Sequence, residues 1–425
     1  MNVGRTAPDF LDRLGRAARR IGAVGLGIVE ARPFHDLRLL LAQRQQDGTY
    51  PRFCERDVVR RTDPERWLPG CRSVWVVAFA YAAPRAVESR NARDGQGPRG
   101  RLAAYALPED YHRHLHRRLR WLSRWAARES GRRRADFRVY VDTGPPVERD
   151  LWHRSGAGWI GKNTCAYAPG AGSWIVLGVV VTRLPLPEGA VPLPWESELG
   201  PAPPVPTDPC RDCDRCIRAC PTGALSPYRM DPERCIAQLS QRRGVLSEAE
   251  RASLGQWLFG CDLCQLACPY NQEALAPLAY GAGATLWPVE GTSTEMSLVR
   301  ALTMDALTFR GGLGRGAAAW RGLSHLQRNA AYVAGIRLRR RAASPHANER
   351  ARGTIAGETS AHRALVEALA RLAGSHPSPV VREASAWALT VPRPPAGQAN
   401  RRVTSPCRTR PSAATSPPGS ARPDR

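Results

Sequence analysis

Cysteines are the residues whose spacing constrains the chemistry most narrowly, and the chain has twelve. One run reads Cys210-x2-Cys213-x2-Cys216-x3-Cys220-Pro221. Thiolates so spaced wrap a cubane from a tight loop, and in two-cluster ferredoxins the Cys before the Pro ligates the other cluster. The second run, Cys261-x2-Cys264-x3-Cys268-Pro269, is one thiolate short, and Cys235 lies between the runs to supply it. Crossing over at both runs gives two complete sets. Cluster one takes Cys210, Cys213, Cys216 and Cys268; cluster two takes Cys220, Cys235, Cys261 and Cys264. Zinc also uses C-x2-C pairs, but it does not explain two interlocking runs that each end in Cys-Pro. Cys54, Cys71, Cys165 and Cys407 fall outside the scheme, and free buried cysteine is often inert. Two adjacent [4Fe–4S] clusters form a wire for single electrons. They name no substrate, so the substrate chemistry must come from residues 1–185.

There, Val141-Asp142-Thr-Gly-Pro-Pro-Val-Glu148 sets Asp142 at the end of a strand, before a Gly-Pro turn. This is a position for an acid in a cleft, or for an ordinary turn-capping Asp. Glycines crowd residues 156–178, including Gly156-x-Gly158-x-x-Gly161. Such density lets a large ligand approach the backbone. The GxGxxG follows no clear strand, so a dinucleotide fold is not supported. Lys162 is the only lysine in a chain of 62 basic residues. Its survival suggests a task for a compact ammonium that a guanidinium cannot perform, with chance survival as the alternative.

The elements that must position these groups read as follows. A helix and an apolar strand span residues 9–31; residues 73–82, 137–141 and 174–181 are strands, and residues 111–128 form a basic amphipathic helix. Strands interleaved with helices predict an α/β or α+β domain over residues 1–185. A Pro-rich linker, residues 186–209, leads into the cysteine module, residues 210–275. Helices over residues 323–340, 362–373 and 379–390 suggest helical-repeat packing across 295–391. Residues 392–425, rich in Pro, Ser and Arg, are expected to be disordered. No run of about 18 apolar residues and no apolar leader is seen, so a cytoplasmic protein without membrane association is expected. A net charge of +24 suits a polyanionic partner, or simply a basic composition with a basic tail.

The segment 101–271 resembles epoxyqueuosine reductase, the last enzyme of tRNA queuosine biosynthesis. The shared motifs are Tyr105-Ala-Leu, Asp110-Tyr-His112, Asp142-Thr-Gly-Pro with Glu148-Arg149, Gly156-x-Gly-Trp-x-Gly-Lys162-Asn163, Gly172-Ser-Trp, Phe259-Gly-Cys-Asp-Leu-Cys-Gln265 and the full cysteine scheme. His325-Leu and Arg328-Asn329-Ala resemble the family's tail helices. Residues 33–60 depart from it: Gln46-Asp-Gly-Thr-Tyr-Pro51 stands where the family has an apolar Gly-Glu-Met stretch. The resemblance implies a nitroreductase-like α/β domain holding cob(II)alamin base-off, a two-cluster ferredoxin-like module and HEAT-like helices. The Asp-x-His-x-x-Gly cobalamin signature is absent, and the glycine-dense segment suits a flavin equally. The implied reaction removes the epoxide oxygen of epoxyqueuosine at the tRNA wobble position. Asp142 would be the acid, its pKa raised by burial. Arg56, Tyr105, Lys162 and Asn163 would line the corrinoid. The helix 111–128 and the C-terminal helices, Arg328 included, would hold the anticodon stem-loop through phosphates. An external electron donor and a monomeric state are also implied. Two alternatives are a related corrinoid iron–sulfur reductase of another small substrate, such as an organohalide, and an electron-transfer protein. The second leaves residues 1–185 without a task, and the first is disfavoured because no twin-arginine export signal is seen.

Overall fold

The apolar run at residues 73–80 becomes the centre of a sheet. The computed structural model describes residues 7–84, 97–191, 193, 205–207, 209–272, 285–342 and 356–390. The expected tail, residues 392–425, and much of the expected linker lie outside these. The main sheet has five strands: β1 (Gly25–Glu30), β2 (Ser73–Ala80), β3 (Phe137–Tyr140), β4 (Ile175–Thr182) and β5 (Gly189–Ala190), in the order β3-β4-β2-β1-β5. Every neighbouring pair is antiparallel. β5 falls at the start of the expected linker, so that stretch begins as an edge strand.

β2 is buried at every position, and its alternate side chains serve two cores. Trp75, Val77 and Phe79 meet α1 (Ala7–Arg20) through Phe10 and Leu14; Val74, Val76 and Ala78 share a core with Leu37 and Leu41 of α2 (His35–Gln46). The first core also takes Leu115, Leu119 and Leu122 of α3 (Tyr111–Ser130). Asp110 caps α3 by accepting the His112 N–H, and Gly131, with φ +70°, ends it. The opposite face exposes Arg113, Arg117, Arg120, Arg124 and Arg128, as the period predicts. Behind β1 stands α4 (Glu148–Arg154). A Cβ on Gly27 would lie 2.0 Å from Ser155 Oγ, and one on Gly25 2.5 Å from the Trp152 ring. Only glycine lets this segment seat against the sheet, and that seating fixes Glu148.

A second, three-stranded sheet ties the chain together. Arg99–Leu102 pairs in parallel with Trp257–Phe259 and antiparallel with Glu295–Ser297. Below it, Leu102, Leu107, Leu246, Leu258, Leu298 and Tyr332 share one apolar core. The cysteine module and the C-terminal helices are thus welded to the N-terminal part. α5 (Leu323–Ala342) and α6 (Ala356–Ser375) both pack on α7 (Pro379–Leu389). Arg328, expected on an RNA-facing surface, is only 1 % exposed. Its guanidinium donates to the carbonyls of Arg242 (2.5 Å) and Gly244 (2.8 Å) and to Asn329 Oδ1, while Asn329 Nδ2 reaches the carbonyls of Ser240 and Leu258, 2.7 Å each. The Arg-Asn pair therefore clamps α5 to the cysteine module and is unavailable to phosphate. Among the described residues no helix is long and apolar enough to cross a membrane.

Candidate active site and iron–sulfur module

β3 ends at Tyr140, and two residues later Asp142 takes φ +53°. A non-glycine residue rarely adopts this left-handed conformation, although Asp tolerates it better than most. The turn aims the carboxylate at the N-terminus of α3. Asp142 Oδ2 accepts from the Tyr111 hydroxyl at 2.9 Å and faces His112 Nε2 at 3.2 Å; His112 Nδ1 lies 2.7 Å from Asp110 Oδ1. Both ring nitrogens thus face carboxylates, an arrangement that only the doubly protonated imidazolium satisfies as a donor at each end. The rings of Tyr111 and His112 stack at 4.1 Å, fixing both donors.

The electrostatics differ from the expectation of a raised acid. The hydrogen bond from His112 holds the Asp142 carboxyl below its ordinary value, outweighing burial, with Tyr111 adding to the effect. Burial alone would lower His112, but its bonds to Asp142 and Asp110 raise it overall. The Asp142 side chain is still 61 % exposed. The raised carboxyl is Glu148. Burial first, and then the charge of Asp142, push it up to about 8, and its Oε1 is buried without a hydrogen-bond partner among the described residues. A turn carboxyl and one at the start of α4 are therefore driven apart, one ionised and one neutral, as acid–base sites often require. Asp110-Tyr-His112 and Glu148 were visible as motifs, but nothing in the sequence assigned His112 and Glu148 to Asp142.

The cysteines approach from the other side. Cys210 Sγ accepts from the Lys162 backbone N–H at 3.4 Å, and Lys162 Nζ donates to the carbonyls of Arg211 and, at 3.2 Å, Cys213. The lone lysine thus holds the first cysteine loop. A point donor on a slim stem suits two backbone carbonyls better than a planar fork would. Asn163 is buried; its Nδ2 donates to Tyr167 Oη at 2.9 Å and to the Cys264 carbonyl at 3.4 Å. Lys162 and Asn163 together bridge the two cysteine runs. Burial raises the thiols of Cys216 (to about 11), Cys235, Cys261 and Cys268, while a hydrogen bond with Cys165, ahead of burial, raises Cys264. Cys216 lies within electrostatic range of Cys210, Cys264 and Cys268, and Cys235 within range of Cys220 and Cys264. Such buried sulfur chemistry suits thiolates neutralised by iron. Among the described residues, no three His, Cys, Asp or Glu groups converge where a single ion could sit.

Of the remaining expected residues, Tyr105 accepts at its hydroxyl from Gln241 Nε2 at 3.1 Å, and its titration is raised chiefly by burial, then by the charges of Asp262 and Asp142. Arg56 is exposed ahead of the short helix Val58–Thr62, tied to α2 through its carbonyl, which accepts from Gln45 Nε2 at 2.7 Å. The glycine-dense segment differs from its expected use. A Cβ on Gly158 would lie 2.1 Å from Trp152 Nε1, and one on Gly161 2.7 Å from the Tyr167 ring. These glycines admit the protein's own aromatics. Gly172-Ser-Trp likewise docks onto the cysteine module: Ser173 N–H donates to Asn271 Oδ1 at 2.7 Å, and Gln265 Nε2 donates to the Ser173 carbonyl at 3.1 Å.

Comparison with known proteins gives the arrangement a context. Residues 61–143 match the family described as Epoxyqueuosine reductase QueG, DUF1730, and residues 209–271 match the 4Fe-4S double cluster binding domain. An epoxyqueuosine reductase of Bacillus cereus is 32 % identical over 319 residues, covering 74 % of this chain and 77 % of that protein. One of Bacillus subtilis is 28 % identical over 393 residues, covering 92 % and 88 %. A crystal structure of epoxyqueuosine reductase with a tRNA-Tyr epoxyqueuosine-modified stem loop has a TM-score of 0.69 at 26 % identity, over 90 % of each chain. A Bacillus subtilis structure with its catalytic aspartate loop swung out of the active site has a TM-score of 0.70 at 25 % identity, again over 90 % of each chain. With both family models, the relatives and the overall fold in agreement, the chain belongs to the epoxyqueuosine reductase family of oxidoreductases.

Proposed function

We propose that the protein reduces the epoxide of epoxyqueuosine at the wobble position of tRNA, consuming two electrons and two protons and yielding queuosine and water. The observation that carries this reading is the juxtaposition, on one welded frame, of the Asp142–His112 pair with two cysteine runs bridged by Lys162 and Asn163. Residues 1–185 act as a nitroreductase-like cobalamin and substrate domain. Residues 210–275 act as a ferredoxin-like module whose two [4Fe–4S] clusters are bound by the two sets of four cysteines. Residues 295–391 act as a HEAT-like support. An external donor reduces the clusters, and the protein works as a cytoplasmic monomer.

The site fits cobalamin in one testable respect. Glu148 Oε1 is a buried polar atom in want of a partner beside Asp142, and a corrin rim carries amide side chains able to supply one. Arg56, Tyr105 and Asp142 would hold the corrinoid, with Lys162 and Asn163 fixing the sulfur loops behind it. When bound, cobalamin supplies the low-potential metal centre that epoxide reduction requires. The chain's own part is proton delivery: the proton held on His112 Nε2 is relayed through the ionised Asp142 carboxylate to the departing oxygen.

The test is turnover of an anticodon stem-loop carrying epoxyqueuosine by anaerobically reconstituted protein with cobalamin and reductant. Queuosine should form, with iron near about eight per chain. Asp142→Asn should keep the iron and lose about 10²–10⁴-fold in rate, as expected for a general acid. Absence of any queuosine from the loaded enzyme would sink the proposal.

A further inference from the structure

Two exposed aromatic rings meet on the surface from segments far apart in the chain. Phe53 is 44 % exposed and Trp320 51 % exposed. They pack edge to face with centroids 5.4 Å apart at 88°. The Arg321 guanidinium lies 3.5 Å from the Trp320 ring centroid and 4.8 Å from that of Phe53. Arg243 is within electrostatic range of Arg321. Isolated exposed apolar side chains are ordinary; a preassembled aromatic pair under a guanidinium, left half open, is not.

The assembly is also held still. Trp320 ends the short turn Ala317–Trp320, and its Nε1 donates to Gln241 Oε1 at 3.2 Å. Gln241 Nε2 donates in turn to the Tyr105 hydroxyl at 3.1 Å. Next to Phe53, Arg52 forks onto Glu233 at 2.8 and 2.9 Å. Two hydrogen bonds therefore separate Trp320 from Tyr105. Phe53 lies in the stretch that departs from the family pattern.

We propose that Phe53, Trp320 and Arg321 form a stacking platform for an unpaired nucleobase of the RNA loop, next to the nucleotide that enters the Asp142 cleft. The inference rests on the tRNA reading above. Flat, rigid, half-open aromatics match the faces of bases, which stack on such rings irrespective of sequence. Arg321 and Arg243 supply positive charge for the adjoining phosphate, which a protein partner with an apolar patch would not need.

The experiment measures equilibrium binding and steady-state turnover of the epoxyqueuosine stem-loop by the reconstituted protein and by Trp320→Ala, Phe53→Ala and Trp320→Phe, with iron content and melting temperature as folding controls. Stem-loops abasic at each nucleotide flanking the wobble position provide the second arm. Trp320→Ala should weaken binding and raise KM about 5- to 150-fold, with kcat at saturating RNA unchanged. Trp320→Phe should restore much of the loss, and Phe53→Ala should lose less. Removing the stacked base should abolish the difference between wild type and Trp320→Ala. If wild type binds the stem-loop tightly and all three variants match it, the platform is refuted and the tRNA reading stands. If wild type binds no stem-loop, the tRNA reading falls and the platform with it. A variant that changes only self-association would make the patch a contact between copies and overturn the proposal.

Discussion

At the scale of residues, the site is a pair rather than a single acid. Asp142 is held below its ordinary 3.8 and His112 above its ordinary 6.5, so between those values the transferable proton sits on the imidazole. The Asp142 contribution to stability is present above 3.8 and fades as pH falls through its lowered folded value. The His112 contribution is present below 6.5 and fades as pH rises through its raised folded value. We therefore expect kcat to fall as pH rises through the His112 value, above 6.5, as the proton source is lost. His112→Gln should remove that limb and lower the plateau while leaving cluster iron unchanged. A wild-type rate that stays flat over about pH 5 to 9 would exclude His112 as the source. Asp142 was legible in the sequence because a strand end followed by Thr-Gly-Pro is a local signal. Its partnership with His112 was not, because thirty residues separate them and only the capping of α3 by Asp110 turns the imidazole toward the carboxylate.

At the scale of elements, legibility followed the clarity of the apolar period. α3 was plain because Leu115, Leu119 and Leu122 recur at helical spacing beneath an arginine face. α2 escaped notice because Leu39-Leu40-Leu41 run consecutively, with Leu39 73 % exposed, and blur the period. Arg328 shows the converse failure. Its residue type and its basic neighbours on α5 suggested a phosphate-facing side chain, whereas tertiary packing buries it as a donor to three acceptors. Truncating it would strand two carbonyls and the Asn329 amide oxygen away from water. Arg328→Ala should accordingly cost about 2–4 kcal/mol of stability, read by chemical unfolding. KM for RNA should stay unchanged in the folded fraction. A variant of wild-type stability with an elevated KM would restore the RNA-facing assignment.

At the scale of the whole molecule, charge has to be separated into what builds the fold and what meets a partner. The +24 balance is partly spent internally, as Arg328, Arg251 on Glu383 (2.7 Å) and Arg183 on Asp136 (3.0 Å) show. The outward arginines of α3 are a different population. Arg113, Arg117, Arg120 and Arg124 line a groove of about 450 Å³ together with His112 and His116. His112 is the residue that faces Asp142, so this basic stripe runs directly up to the proposed acid. A phosphate backbone laid along it would bring a loop nucleotide to the cleft without base-specific contacts, since phosphate contacts set position and register. Each phosphate neutralised releases condensed counterions, so log K should fall linearly with log salt by about 0.7–0.9 per contact. Replacing Arg117 and Arg124 together by Gln should lower the magnitude of that slope by about 1.4–1.8 and weaken modified and unmodified stem-loops alike. Turnover at saturating RNA should hold, because neither side chain bonds Asp142, Tyr111 or His112. If the double variant keeps the wild-type slope, the stripe is a solvated helix face and the phosphates lie elsewhere.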